Sequence, residues 1–299
     1  MITRRIVLVL GAGASKPYGY PLARELIDDV LNVLRDGEKL ELMGVCGVPT
    51  DLAQDLRTEL GHSAESSIDA FLEYRAEFRE AGRYAIALAI APYEDTQSRP
   101  LMRGDLRWYE YLLGALRCPR DQFAQNQLSI VTFNYDRSLD QYLFVALQKR
   151  YGLDGTACAE MLSTLPLVHV YGQIGLLPWQ LLDASDGARA YGGQIHDPTV
   201  LKASSQGLRV IGEAEKSALD QAGALLDRAD LIMFLGFGYH RANLELLNMA
   251  RRTDPLKAVG TVFGLGDAVI KAISNTWPIR PASPGWDIMQ FFQNDTPLT

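Results

Sequence analysis

The residues of this chain that could do chemistry sit in four short segments, each closing an apolar run. Gly11-Ala12-Gly13-Ala14-Ser15 follows Ile6 to Leu10. Missing side chains there let backbone N–H groups approach a pyrophosphate, and the Ser15 hydroxyl can donate to it. A plain strand-to-helix turn needs the same glycines, and the full G-x-G-x-x-G fingerprint is absent, since position 16 is Lys and the next glycine is Gly19. Thr132-Phe133-Asn134-Tyr135-Asp136 stands between a buried run and a helix pattern with Leu139, Tyr142 and Leu143. Its Thr132, Asn134 and Asp136 can orient a ribose hydroxyl or a water; the competing role is a helix cap, which suits Asp136 better than Asn134. In Val168-His169-Val170-Tyr171-Gly172-Gln173, period-two alternation puts His169 and Tyr171 on one strand face, and Gly172 opens a turn. His169 can exchange a proton near neutral pH or serve as a satisfied core histidine. Phe234-Leu235-Gly236-Phe237-Gly238-Tyr239 again offers glycines at a strand end, where Gly236 and Gly238 let ribose or phosphate lie against backbone or simply make a turn.

The elements that must position these groups follow from periodicity. Ile6–Leu10, Leu128–Phe133, Leu165–Tyr171, Leu208–Ile211, Leu231–Leu235 and Val259–Phe263 read as strands. Pro21 starts a helix that Gly37 stops, and further helices are expected at Ser138–Arg150, Ala214–Arg228, Asn243–Arg251 and Ala268–Asn275. Such alternation predicts an α/β fold, a Rossmann-like doubly wound parallel sheet. From Glu38 to Asn126 the patterns are helical only (Ser66–Arg79, Ala81–Ala91, Leu106–Leu116), the mark of an inserted helical module. The expected organisation is a core of residues 1–37 and 127–278, a helical insertion over 38–126, and a C-terminal docking tail, 279–299, with Pro281, Pro284 and Trp286. Leu176–Gly207, carrying Trp179, reads as a long loop.

Composition limits the function classes. The length of 299 residues and 47% apolar content suit one large or two small domains with a real core. Lys and Arg number 29 against 36 Asp and Glu, a net charge of −7, so no global basic field attracts nucleic acid or anionic membrane. No apolar run reaches the ~18 residues of a membrane span, and the N-terminus lacks a secretory pattern, so a cytoplasmic protein is expected. Cys46, Cys118 and Cys158 have no C-x-x-C spacing, so neither a disulfide framework nor a metal is expected.

Taken in order, GAGAS, SIDAFL at Ser67–Leu72, TFNYD, HVYG and LGFGY resemble the sirtuin-like NAD-hydrolase domains of bacterial anti-phage defence systems, over about Ile6 to Leu247. The resemblance implies a Rossmann-like sheet with NAD, as substrate, in the cleft under the helical module. It further implies that Gly11, Ala12, Gly13 and Ser15 cradle the pyrophosphate, that Asn134 and Asp136 face the nicotinamide ribose, and that Gly236 and Gly238 border the other ribose. Protein-deacylating sirtuins carry Asp-Phe-Arg after the first glycine motif and a four-cysteine zinc module; here Pro21-Leu22-Ala23-Arg24 stands there without such cysteines, so peptide deacetylation is not expected. Sirtuins place the catalytic His directly before a Gly, whereas here Tyr171 precedes Gly172. The catalytic role passes to His169, about 7 Å away along the same strand face, with Tyr171 as a substrate-positioning group.

The implied activity is NAD glycohydrolysis, with Asn134 holding ribose and water and His169 acting as general base or hydroxyl-orienting group. A toxic NAD hydrolase needs control, so the family implies a homo-oligomer or a partner such as a HerA-type ATPase or an Argonaute-like protein. Two other readings remain: a non-catalytic sensor subunit binding NAD or ADP-ribose, and a hydrolase of another nucleotide.

Overall fold

The computed structural model describes residues 1–95, 101, 107–181, 188–210, 213–252 and 257–298. β1 (Ile6–Leu10) is five aliphatic residues in a row, all buried, as a strand covered on both faces requires. The same logic makes β4 (Leu231–Leu235) and most of β2 (Leu128–Thr132). With the short strands β3 (Leu167–His169), β5 (Ala258–Gly260) and β6 (Arg280–Pro281), they form one sheet of order β3-β2-β1-β4-β5-β6. All neighbouring pairs are parallel, which is the Rossmann order.

Helices fill the connections. α1 (Ala12–Ser15) and α2 (Ala23–Val33) follow β1. The stretch 38–126 adds α3 (Gly37–Val45), α4 (Thr50–His62), α5 (Ile68–Tyr74), α6 (Arg79–Ile90) and α7 (Trp108–Ala115). α8 (Ser138–Tyr151) and α9 (Gly155–Ser163) join β2 to β3, and α10 (Pro198–Gln206) and α11 (Lys216–Arg228) precede β4. α12 (Arg241–Leu246), α13 (Asp267–Thr276) and α14 (Ile288–Asn294) complete the chain. α6 is the keel of the inserted helices: nearly every residue from Ala81 to Ile90 is buried, because it packs against α2 on one side and α10 on another.

The structure departs from several sequence expectations. Gly37 does not stop a helix; Leu34 ends α2, and Gly37 opens α3, capped by the Asp36 carboxylate accepting from the Glu38 and Lys39 N–H groups. The expected loop Leu176–Gly207 contains α10, capped by Asp197. The expected strand Leu208–Ile211 is reduced to one antiparallel bridge between Gly172 and Leu208; Ile211 lies outside the described residues, as does Leu106 of the expected helix Leu106–Leu116.

The C-terminal segment is no loose tail. Arg280 and Pro281 pair with β5, and α14 buries Phe291 and Phe292, the latter stacked on Tyr111 of α7 at 4.9 Å. Arg280 forks onto Asp295 at 2.9 and 2.6 Å, tying the helix end back to the strand. Two-residue pairing involving a proline carries too little periodicity to read from sequence.

Glycine is required where the β1 and β4 turns meet. Gly13 N donates to Gly236 O at 2.9 Å, Gly236 has φ +55°, and a Cβ there would lie 2.1 Å from the Ala14 nitrogen. Gly236→Ala is therefore expected to destabilise the fold by about 3 kcal/mol or more. Gly44→Ala, in exposed helix with nothing within 4 Å of an added Cβ, should stabilise it by up to about 1 kcal/mol. Denaturant melts of both variants check the pair.

Candidate active site

Strand register aligns the chemistry. Leu10, Thr132 and Leu235 stand level across β1, β2 and β4, and His169 stands level with Thr132. The turns that follow therefore emerge together at the carboxyl edge of the sheet, where ligands of open α/β folds bind.

Asn134 joins them. Its Nδ2 donates to the Gly11 carbonyl at 3.0 Å and to Ser15 Oγ at 3.1 Å, and its backbone N–H donates to Thr132 Oγ1 at 3.1 Å. Because a carbonyl can only accept, the Gly11 contact fixes which way the amide faces. Oδ1 is left without a protein partner among the described residues, an acceptor available to a hydroxyl or water.

His169 is held on both ring nitrogens. Nδ1 lies 3.1 Å from the Asn134 carbonyl, and Nε2 lies 3.3 Å from each carboxylate oxygen of Asp140, in the first turn of α8. Burial pulls the His169 imidazolium down, but the Asp140 charge and hydrogen bond, the Asn134 carbonyl and the Asp136 charge together raise it above its ordinary value.

Asp136 stands one residue before the N-cap of α8, Arg137, and accepts from Ser138 N at 3.0 Å and also from Ser138 Oγ. The Tyr109 hydroxyl, 2.7 Å from Ser138 Oγ, completes a relay in which Tyr109 donates to Ser138 and Ser138 to Asp136. Burial pushes the Asp136 carboxyl above its ordinary value, against the Ser138 and Ser15 hydrogen bonds that pull it down.

Ser15, Thr132, Asn134, Asp136 and His169 all line one cavity, with Leu10, Tyr109, Ile130, Leu139, Asp140 and Leu167. Tyr109 and Asp140 escaped sequence reasoning: Tyr109 comes from the inserted helices, and an Asp in a first helical turn reads as a dipole partner. The other expected site residues stand outside the lining. Gly11 and Gly13 pack on Gly236, with an added Cβ on Gly11 only 2.7 Å from the Gly236 carbonyl. Ala12 begins α1, and Gly238 would bring a Cβ within 3.2 Å of the His240 ring. Tyr171 lies beyond the end of β3, its hydroxyl donating to Asn243 Oδ1 at 2.7 Å and its ring edge-on to Phe133. It does not share the cavity with His169, because the strand ends at His169 and the alternation ends with it.

The SIDAFL motif meets TFNYD through Asp69 and Tyr135. The Tyr135 hydroxyl donates to the Asp69 carboxylate, with the Arg209 carbonyl 2.9 Å from the same oxygen, and burial raises the Asp69 carboxyl against that hydrogen bond. This is a structural tie between α5 and the turn after β2.

The inserted helices close the site. Trp108 Nε1 donates to the Ala14 carbonyl at 2.7 Å, and the Tyr18 and Tyr109 rings stack at 3.6 Å. Behind Asp136, fully buried Arg137 forks onto Glu94 at 2.9 and 2.7 Å; Glu94 also pairs with Arg189 at 2.8 Å and accepts from Gly192 N. The space between these residues has room for about one water, about 10 Å³, far below the ~300–1,000 Å³ of small-molecule sites, so a dinucleotide fits here only if the lining moves apart.

Among the described residues no three or more His, Cys, Asp or Glu are grouped to hold a metal, and no helix is long and apolar enough to cross a membrane. No protein-family profile and no curated protein matches the chain. Among solved structures, it is similar to Sir2Tm bound to a propionylated peptide, at 15% identity and a TM-score of 0.40, over 97% of this chain and 91% of that one. A Sir2 mutant with a p53 peptide and NAD gives 16% identity and the same TM-score and coverage. With superpositions at this level, the fold assignment rests on the observed sheet order.

Glu94 is the only acid that Arg137 and Arg189 pair with among the described residues. Glu94→Gln leaves two buried guanidinium groups uncompensated and is expected to cost about 3–5 kcal/mol. Chemical denaturation checks this, and a loss below about 1 kcal/mol contradicts it.

Proposed function

We propose that the chain is an NAD hydrolase that cleaves the nicotinamide–ribose N-glycosidic bond, giving nicotinamide, ADP-ribose and a proton, and that it acts in anti-phage defence by depleting NAD. The observation that carries this reading is the meeting of Ser15, Asn134, Asp136 and His169, from three strand ends, in one cavity at the carboxyl edge of the sheet. The order of the five sequence motifs supplies the substrate class.

In this reading the turn Gly11–Ser15 receives the pyrophosphate at the start of α1, with Gly236 and Gly238 bordering the adenosine ribose. Thr132 and Asp136 line the nicotinamide-ribose end, Asn134 Oδ1 accepts from a ribose hydroxyl or the attacking water, and Tyr171 steadies the outer turn. The pyridinium departs neutral, so the site has mainly to stabilise an oxocarbenium-like sugar, a task for fixed carboxylates and dipoles. Asp136 and Asp140 are the carboxylates within the lining. No metal enters this chemistry as proposed. Control falls to self-association, a HerA-type ATPase or an Argonaute-like partner.

A second reading is a sensor that binds NAD or ADP-ribose without turning it over, with a change of assembly state as its signal.

Purified full-length protein incubated with NAD is expected to release nicotinamide and ADP-ribose in equal amounts, and Asn134→Ala to slow release about a hundredfold or more. Undiminished release by Asn134→Ala overturns the site assignment. Binding of NAD without release, at any protein concentration, supports the sensor instead.

A further inference from the structure

The His169 ring lies between two groups that can only accept. A backbone carbonyl, that of Asn134, stands at Nδ1, and a carboxylate, that of Asp140, stands at Nε2. A neutral imidazole has one N–H and one lone pair, so it would set a lone pair against one of these acceptors. With Asp140 ionised, both contacts are satisfied only when both nitrogens carry protons.

The surroundings of Asp140 ask for the same state. Its side chain is 4% exposed, and among the described residues its one other side-chain hydrogen bond comes from the neutral amide Nε2 of Gln180, at 3.1 Å. Among the described residues no lysine or arginine pairs with it. A buried carboxylate needs a counter-charge, and His169 is the one in reach. Gln180 is itself fixed, its Oε1 accepting from Gln173 Nε2 at 2.6 Å and from Leu177 N at 2.8 Å. The titratable groups facing His169 are therefore Asp140 from α8, Asp136 from the turn after β2 and the Tyr109 phenol across the cavity from α7.

We propose that Asp140 is a positioning residue of this site: it locks His169 as an imidazolium with two N–H donors, so that His169 orients a substrate hydroxyl instead of taking a proton from water. The Nε2 contacts are shared between two oxygens and stand at the long end of hydrogen-bond range. A ribose hydroxyl or water entering there can accept from Nε2–H and donate to the Asp140 carboxylate at once. The pair is a clip for one hydroxyl group. Only the catalytic half of this inference rests on the NAD-hydrolase reading.

Histidine ring-nitrogen NMR of the intact protein tests it without substrate. The chain has four histidines, His62, His169, His196 and His240, so a His169→Gln spectrum assigns the signal. Wild-type His169 is expected to be doubly protonated at pH 7 and to titrate above the ordinary value of about 6.5. Asp140→Asn should bind that proton tenfold more weakly or worse, a fall of one pH unit or more in the midpoint, while Asp140→Glu keeps the midpoint raised. A neutral His169 at pH 7 in the wild type overturns the proposal whether or not the variants fold, and an unchanged midpoint in Asp140→Asn does the same.

The rate arm fixes the sign. Because the protonated form is the working one, kcat/KM for nicotinamide release should fall as pH rises through the His169 midpoint, and this limb should move to lower pH in Asp140→Asn. A rate that instead rises through the midpoint assigns His169 to general-base work and overturns its role as donor. If no NAD turnover is found, the NMR arm still decides the protonation state, so failure of the hydrolase reading and failure of this inference are separable.

Discussion

Three strand ends are held together at one residue, Asn134. Its amide reaches the Gly11 carbonyl and Ser15 after β1, its own backbone carbonyl meets the His169 ring at the end of β3, and its backbone N–H is taken by Thr132 at the end of β2. Each such bond is worth only about 1 kcal/mol net. Their joint effect is larger because the groups are sheltered from water, where an acceptor left without its donor costs the full desolvation. Asn134 thus fixes the spacing of Ser15, Asp136 and His169 before any ligand arrives, which is what preorganised catalysis asks of a scaffold.

The inserted helices depend on the same edge. α7 rests on the first glycine turn through Trp108 and Tyr18–Tyr109 stacking, and Glu94, at the end of the turn that follows α6, anchors that segment to Arg137, the neighbour of Asp136. The module therefore contributes Tyr109 to the lining and the roof that keeps the cavity small. On the proposed reading, a dinucleotide reaches this edge only when α7 separates from the β1 turn.

Much of this was legible in the residues. β1, β2 and β4 announce themselves as apolar runs because they are buried on both faces, and the polar residues that end them are the ones that converge. What was not legible has a tertiary cause. β6 is two residues, Arg280 and Pro281, whose pairing depends on β5 being present. Asp140 and Glu94 look like ordinary helix-surface acids until His169 and Arg137, distant in sequence, are brought to them. Tyr171 was placed by an alternation that the chain abandons two residues earlier, when β3 ends. The glycines at 11, 13 and 236, whose missing side chains suit a ligand, in the fold first make room for one another.

A crystal structure of the protein with ADP-ribose bound tests the assignment of this edge most directly. The predicted result is diphosphate against the backbone N–H groups of Gly11 to Ser15, the terminal ribose within hydrogen-bond distance of Asn134 Oδ1 and the Asp140–His169 pair, and α7 displaced from the β1 turn. ADP-ribose bound elsewhere on the protein, with this cavity still closed, would contradict it.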